Sequence, residues 1–285
     1  MTAPAVARRP SSGASKLARE HGREILKLER EELVRLRSIH ETARLELVAR
    51  LADVPAERFT AQHLRVTLAQ IDAALVMMNR KLDEHGTRLV RRSLREGLAH
   101  TLAEIAQFEP KFAGMAGAIQ LDALRRIAEP EGLLLDRYEA SVARYGAELR
   151  GDIQRRLSVH LVKRSFVREV VQDIAGKLET SAVSGARWRA ERIVRTELHN
   201  ALSVGNQASI ESAAEVLPGL KREWDSTLDA RTSSICRALD GQVVGIREPF
   251  RYGGREIAHP PAHPNCRARA VPWRAEWADL AQQAG

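Results

Sequence analysis

The chain has 285 residues, with 45 Lys and Arg against 37 Asp and Glu for a formal net charge of +8, two Cys, and only four Trp, three Tyr and five Phe. Two cysteines in a chain this long exclude a disulfide-built scaffold, and no stretch approaches the ~18 consecutive apolar residues that a membrane-spanning helix needs. At 44% hydrophobic and 29% charged, the composition is that of a soluble chain with apolar surface enough for a real core, in one large domain or two ordinary ones.

Residues 1–16 are rich in Ala, Pro and Ser and carry Arg8 and Arg9. No apolar h-region follows, which argues against a secretory signal, and the segment reads as a flexible basic arm, either a solvated tail or a partner-docking peptide. Residues 17–185 read as a helical domain because their apolar residues recur with a 3.6-residue period. Leu26, Leu33, Leu36, Ile39, Ala43, Leu47 and Leu51 form one stripe that ends before Pro55. Leu64, Leu68, Ile71, Leu75, Met78 and Leu82 form a second, with Gly86 near its end, and a weaker segment runs from Leu94 to Ile105. Gly114 and Gly117 break the pattern. One further segment carries Tyr138 to Ile153 and another Leu157 to Leu178.

Met77 and Met78 lie within a stripe, where core packing is their expected role. The histidines at 21, 40, 63, 85, 100 and 160 show no ligand spacing and read as surface or satisfied core residues. The excess positive charge would suit a polyanion. Yet opposite charges alternate three and four residues apart, as in REILKLEREELVRLR from Arg23 to Arg37, the pattern of a solvated helix face. There is no run of five like charges and no aromatic platform for stacked bases over the first 180 residues.

A strong helix begins at Ala186 and ends before Pro218 and Gly219. Beyond it the chain is shorter in rhythm and crowded with proline, and Asp240-Gly241 and Gly253-Gly254 are hairpin-grade turn signals beside short β-capable runs. Residues 186–274 therefore read as a small α+β module, with 275–285 as a tail. The expected fold is mainly α: a long helical N-terminal bundle followed by a small α+β C-terminal module.

Both cysteines fall in this module, where Cys236, His259, His263 and Cys266 form Cys-x22-His-x3-His-x2-Cys. Thiolate and imidazole are the ligands tetrahedral zinc prefers, and a loop-rich module with little core gains most from a metal staple. The spacing is not that of a standard finger, and Pro260, Pro261 and Pro264 keep the histidines off one regular helix. Three readings stay open: a zinc site, a close or disulfide-bonded Cys236 and Cys266, and unrelated packed thiols. A cysteine nucleophile served by His263 and an acid such as Asp229 is conceivable, but neither cysteine follows a Gly-rich turn at a helix start. Phosphate-cradling loops, HExxH and spaced carboxylate pairs are absent, so no catalytic residue is assigned.

The ordered blocks RIVRTELHNALSVGN (Arg192 to Asn206), W-x4-D-A-R-T-S-x2-C (Trp224 to Cys236), LDGQ (Leu239 to Gln242), Phe250 and PPAHPNCR (Pro260 to Arg267) resemble the C-terminal domain of the phage head-morphogenesis proteins typified by gene product F of phage Mu. The resemblance covers about the last third of the chain. It implies a structural, non-enzymatic minor head protein of a phage or prophage, a low-copy part of the procapsid and virion at the portal vertex. Such a protein aids head assembly, with DNA packaging or ejection as a further role. The implied partners are the portal protein, the major capsid protein or both, with weak DNA contact and no membrane. The implied location is the capsid interior or portal vertex, and the host cytoplasm during assembly.

Many relatives end the last block as Asn-Cys-Arg-Cys, and some carry Cys-x2-Cys in the earlier one. Here Ala268 and Ser233 stand at those positions, so a four-cysteine site is out of reach and zinc would need His263, with His259 as a further candidate ligand. The remaining motif residues read as structural. Arg195 and Glu197 would supply a buried arginine and a carboxylate tying the helix to the module. Asp229 and Arg231 would stabilise a turn, Trp224 would fill the core, and Asp240, Gly241, Asn265 and Arg267 would complete the motif. The alternative is a hydrolase or transferase built on the same module, using Cys236, His263 and Glu197 or Asp229.

Overall fold

A computed structural model describes residues 16–52, 58–179 and 185–277. Apart from Lys16, the expected basic arm lies outside the described residues, and the expected tail is described only to Trp277. Six long or medium helices come first: α1 (Lys16–Ala52), α2 (Ala61–Phe108), α3 (Ala116–Arg126, after a 3-10 turn at Pro110–Gly114), α4 (Ala128–Lys163), α5 (Val167–Glu179) and α6 (Ala186–Ala214). Then come β1 (Lys221–Asp225), the short helix α7 (Ser234–Leu239), β2 (Val243–Val244), β3 (Phe250–Tyr252), β4 (Arg255–Ile257) and β5 (Arg269–Trp273). The fold is mainly α with a small sheet-containing C-terminal module, as the periodicity indicates. No helix among the described residues is long and apolar enough to cross a membrane.

The chain divides into two compact units, one formed by 28–89 and 133–195, the other by 1–27, 90–132 and 196–285. Helices α1, α2, α4 and α6 contribute a segment to each.

In the all-helical unit, the predicted stripes are the buried faces: Leu33, Leu36, Ile71, Met78, Leu82, Val142, Leu149 and Ile153 are all inaccessible or nearly so. Gly86 does not end a helix here, since α2 runs straight through it. A Cβ at residue 86 would lie 2.1 Å from the Tyr138 ring, so the glycine makes room for a buried aromatic instead of breaking the helix. Nor does a break fall between Ile153 and Leu157. Helix α4 continues to Lys163, where Arg164 takes φ 52, its N–H donates to Leu161 O and that of Ser165 to His160 O. These are the paired bonds of a Schellman stop, built on arginine where glycine is usual. The core also holds charge: Glu32 accepts from Arg35 at 2.5 Å and faces His85 Nε2 at 2.9 Å, while His40 meets the Tyr145 hydroxyl at 3.3 Å.

In the second unit, α2 and α6 cross at two glycines. A Cβ on Gly97 would lie 2.2 Å from Leu202 O, and one on Gly205 2.1 Å from Leu94 O. That approach lets Ser209 donate to Leu98 O at 3.1 Å and Thr101 to Asn206 Oδ1 at 3.0 Å. The sheet has antiparallel order β2-β1-β5, with Trp224 opposite Ala270. Trp224 is fully buried, meets Phe250 edge-on at 5.0 Å, and donates its indole N–H to Ser226 Oγ. The Gly253-Gly254 signal is realised as the two-residue connection of the β3-β4 hairpin, with φ 53 and 76. Asp240-Gly241 instead closes α7, with Gly241 at φ 74 donating to Trp224 O. Buried Arg222 donates to Gln207 Oε1 on α6 and to the carbonyl of Ala258 beyond the hairpin. Trp277 stacks on Phe108 at 5.1 Å.

Candidate functional site

Cys236 is set by the start of α7. Ser233 caps that helix, its hydroxyl accepting the Cys236 N–H at 3.1 Å, the usual task of a serine at this position. Cys266 is brought alongside by a turn in which its own N–H donates to His263 O and Asn265 takes φ 61, a left-handed conformation asparagine tolerates better than most residues. The turn is anchored by Arg267, which grips Asp229 with both guanidinium ends. Asp229 also accepts the backbone N–H of Arg231 at 2.9 Å. The charged partner of Asp229 is thus Arg267, and Arg231 contributes only its main chain.

The outcome is a tight group. Cys236 Sγ stands 3.4 Å from Cys266 Sγ, unbonded, and 3.2 Å from His263 Nε2. Ser233 Oγ is 2.7 Å from the same nitrogen. His263 Nδ1 donates to Pro264 O at 2.9 Å, which leaves Nε2 as the ring's lone-pair atom facing the sulfurs. Both cysteines are buried within an apolar cluster of Trp224, Leu239, Phe250, Ala268 and Ala270. Hydrogen bonding between the thiols divides their acidity. Cys266, hydrogen-bonded to Cys236 and to backbone groups of Ala268 and Ala262 with His263 nearby, is held below the usual thiol range; Cys236, hydrogen-bonded to Cys266 and buried, is pushed above it.

His259 does not join this group: the atoms within 4.8 Å of one another are those of Cys236, His263 and Cys266, and His259 Nδ1 faces Pro260 O at 2.6 Å. Arg195 pairs with Glu29 at 3.1 Å and with Glu191 one turn back at 3.2 Å. It therefore ties α6 to α1 and not to the module, while Glu197 is buried further along α6. Asp240 accepts the Ser226 N–H at 2.8 Å, holding the strand exit after Trp224.

A second cluster escaped the sequence reading because its members lie on α1 and α2, far apart in the chain. His21, Glu24 and His100 bring ligand atoms within 4.8 Å. Their imidazoles, however, stack face to face, 4.1 Å apart and 8° from parallel. Lone pairs lie in the ring planes, and two such planes cannot both contain one ion. His21 Nδ1 instead meets Glu104 at 2.9 Å, and Glu104 receives Arg269 at 2.6 Å. Burial pushes the Glu104 carboxyl up, but Arg269 and His21 outweigh it and hold it below the ordinary value. A cavity of about 330 Å3 adjoins this network, lined by Ala18, Ile25, Leu202, Asn206, Ala268 and Arg269 among others. Arg19, Arg23 and Arg267 also line it; Arg269 is bonded to Glu104 and Asp225, and Arg267 to Asp229.

A family model described as Phage Mu protein F like protein matches residues 153–271, bearing out the resemblance carried by the ordered blocks. The match begins within α4, so it takes in the end of that helix, α5 and α6 as well as the module. Among characterised proteins, the chain is 29% identical over 122 residues to the Minor head protein GP7 of Bacillus phage SPP1, a stretch covering 42% of this chain and 37% of that protein. The chain thus aligns with little more than a third of that relative's length. No solved structure matches the chain.

Proposed function

We propose, from the premise that residues 153–271 carry the Phage Mu protein F-like sequence, that this protein is a structural minor head protein acting in head morphogenesis of a phage or prophage. The single observation that carries the reading is that match, joined to the likeness over 122 residues to a phage minor head protein. We further place it at the portal vertex of the procapsid and virion, binding portal protein, major capsid protein or both, with DNA contact secondary. That placement rests on the likeness to a phage minor head protein.

The enzymatic alternative draws no support from the geometry. Asp229 is committed to Arg267, and His263 Nδ1 faces a carbonyl where a catalytic histidine would be oriented by a carboxylate. Cys236 is pushed above the thiol range, and Cys266, the more acidic sulfur, is 1% exposed, so neither offers an accessible thiolate.

Mass spectrometry of purified virions and co-sedimentation of the full chain with the portal protein of the same phage test the reading. We expect the protein in virions at low copy and in the portal complex. Normal, infectious heads from a phage lacking the gene would overturn it.

A further inference from the structure

We propose that Cys236 Sγ, Cys266 Sγ and His263 Nε2 together bind one Zn2+ ion, a site that stands whether or not the head role holds. The distances carry the argument. With Zn–S near 2.3 Å and Zn–N near 2.0–2.1 Å, a tetrahedral ion separates two sulfurs by about 3.8 Å and sulfur from nitrogen by about 3.6 Å. The corresponding separations from Cys236 Sγ are 3.4 and 3.2 Å, each within a few tenths of an ångström of the ligated value, and Cys266 Sγ and His263 Nε2 lie within 4.8 Å of each other.

The surroundings suit the same ion. A metal-bound imidazole normally donates its other N–H to a carbonyl or carboxylate, which fixes the ring and its tautomer, and Pro264 O already occupies that position at 2.9 Å from Nδ1. Two thiolates neutralise a divalent ion, so the loaded site brings no net charge into the apolar surroundings of Trp224, Leu239 and Phe250. Soft sulfur donors select against Mg2+ and Ca2+, and the mixture of thiolate and imidazole favours zinc.

Three protein ligands leave a fourth position. A cavity of about 20 Å3 adjoins the group, bordered by Ser233, Thr227, Arg231 and Asn265, and a space of ~10–15 Å3 already holds one water. We assign the fourth ligand to that water. Ligation releases the thiol protons to solvent and joins α7 to the His263–Cys266 turn.

The test is metal analysis of the full chain purified under reducing conditions without chelator. One zinc per chain is expected, lost on Cys266→Ser or His263→Asn and kept on Ser233→Ala. Far-UV circular dichroism of each variant separates loss of ligand from loss of fold. Cobalt supplies a readout on the unmutated chain: its complex should show thiolate-to-cobalt charge-transfer absorption and the intense visible bands of tetrahedral coordination. A folded, reduced chain that takes up neither metal overturns the site. So does a Cys236–Cys266 disulfide persisting under mild reduction, or zinc retained by the Cys266→Ser variant.

Discussion

Arg267 holds Asp229 through two parallel bonds, Nη1 to Oδ2 at 2.8 Å and Nη2 to Oδ1 at 2.6 Å. The two residues are 38 positions apart, so this fork fastens the loop before α7 to the turn that carries Cys266. Bidentate pairing of this kind is among the more specific contacts a surface can make. Thr232 adds to it, donating to Thr227 O and bonding with Asp229 at its ends.

The first prediction follows. The hydrogen bonds from Arg267 hold the Asp229 carboxyl well below its ordinary value of 3.8. A carboxyl depressed on folding stabilises the fold above the unfolded value and loses that contribution as pH falls through the lower folded one. Asp229→Asn should therefore lower the melting temperature by a constant amount at pH 5–8, and the gap should close in stronger acid. Amide hydrogen exchange at Arg231 and Thr232 should quicken in the variant. An unchanged melting temperature at pH 7 would show that the fork contributes nothing net, as many exposed pairs do.

His40 makes a second prediction, in the helical unit. Burial, aided by Arg187 and opposed by Glu191, lowers its pKa from 6.5 to about 4, and its other close neighbour is the Tyr145 hydroxyl. Between those values the unfolded chain takes up a proton that the folded one refuses, so stability falls as pH drops from 6.5 to about 4. The full loss attributable to this residue is about 3 kcal/mol. Urea midpoints measured across that range should decline in the natural protein and decline less in His40→Gln. Parallel curves for the two would remove His40 from the account.

The helices were legible because burial of one face imposes a 3.6-residue rhythm, and Leu36, Ile71, Leu82 and Leu149 obey it. Their limits were less so. Gly86 looks like a helix end until Tyr138, 52 residues away, is seen against its Cα, and the stop at Arg164 uses a residue that advertises no stop. Zinc-type donors were visible as residue types, with His263 offered first and His259 as a further candidate. Their places in the fold depend on the backbone around them: His263 Nε2 lies 3.2 Å from Cys236 Sγ with Nδ1 on Pro264 O, whereas His259 Nδ1 faces Pro260 O. The His21 and His100 stack could not be read at all, because it depends on how α1 meets α2.

Glu223 provides a third prediction, of opposite sign. Half-buried on β1, it is pushed up to about 7 by burial first and by the neighbouring charges of Asp225 and Asp240 second. A carboxyl raised on folding stabilises below its unfolded value, here 4.5, and loses that contribution as pH rises towards 7. Glu223→Gln, which cannot ionise, should match the natural protein near pH 4 and melt higher at pH 8. A variant less stable at pH 8 would mean that the ionised carboxylate has a favourable partner.

The last prediction concerns the crossing of α2 and α6. At Gly97 and Gly205 the obstacle to a side chain is a backbone carbonyl of the facing helix, 2.2 and 2.1 Å from the would-be Cβ. A flexible side chain can rotate away, but a helix backbone cannot without separating the two axes. Separation would in turn lengthen the Ser209 to Leu98 and Thr101 to Asn206 bonds. Overpacking of this sort costs ~1–3 kcal/mol, which exceeds the ~1 kcal/mol that alanine gains over glycine within a helix. Gly97→Ala and Gly205→Ala should each lower the urea midpoint. Gly132→Ala, on α4 with nothing within 4 Å of the added carbon, should raise it by up to the alanine preference. If all three substitutions stabilise, the helices do not approach this closely, and the contact must be held by residues other than the glycines.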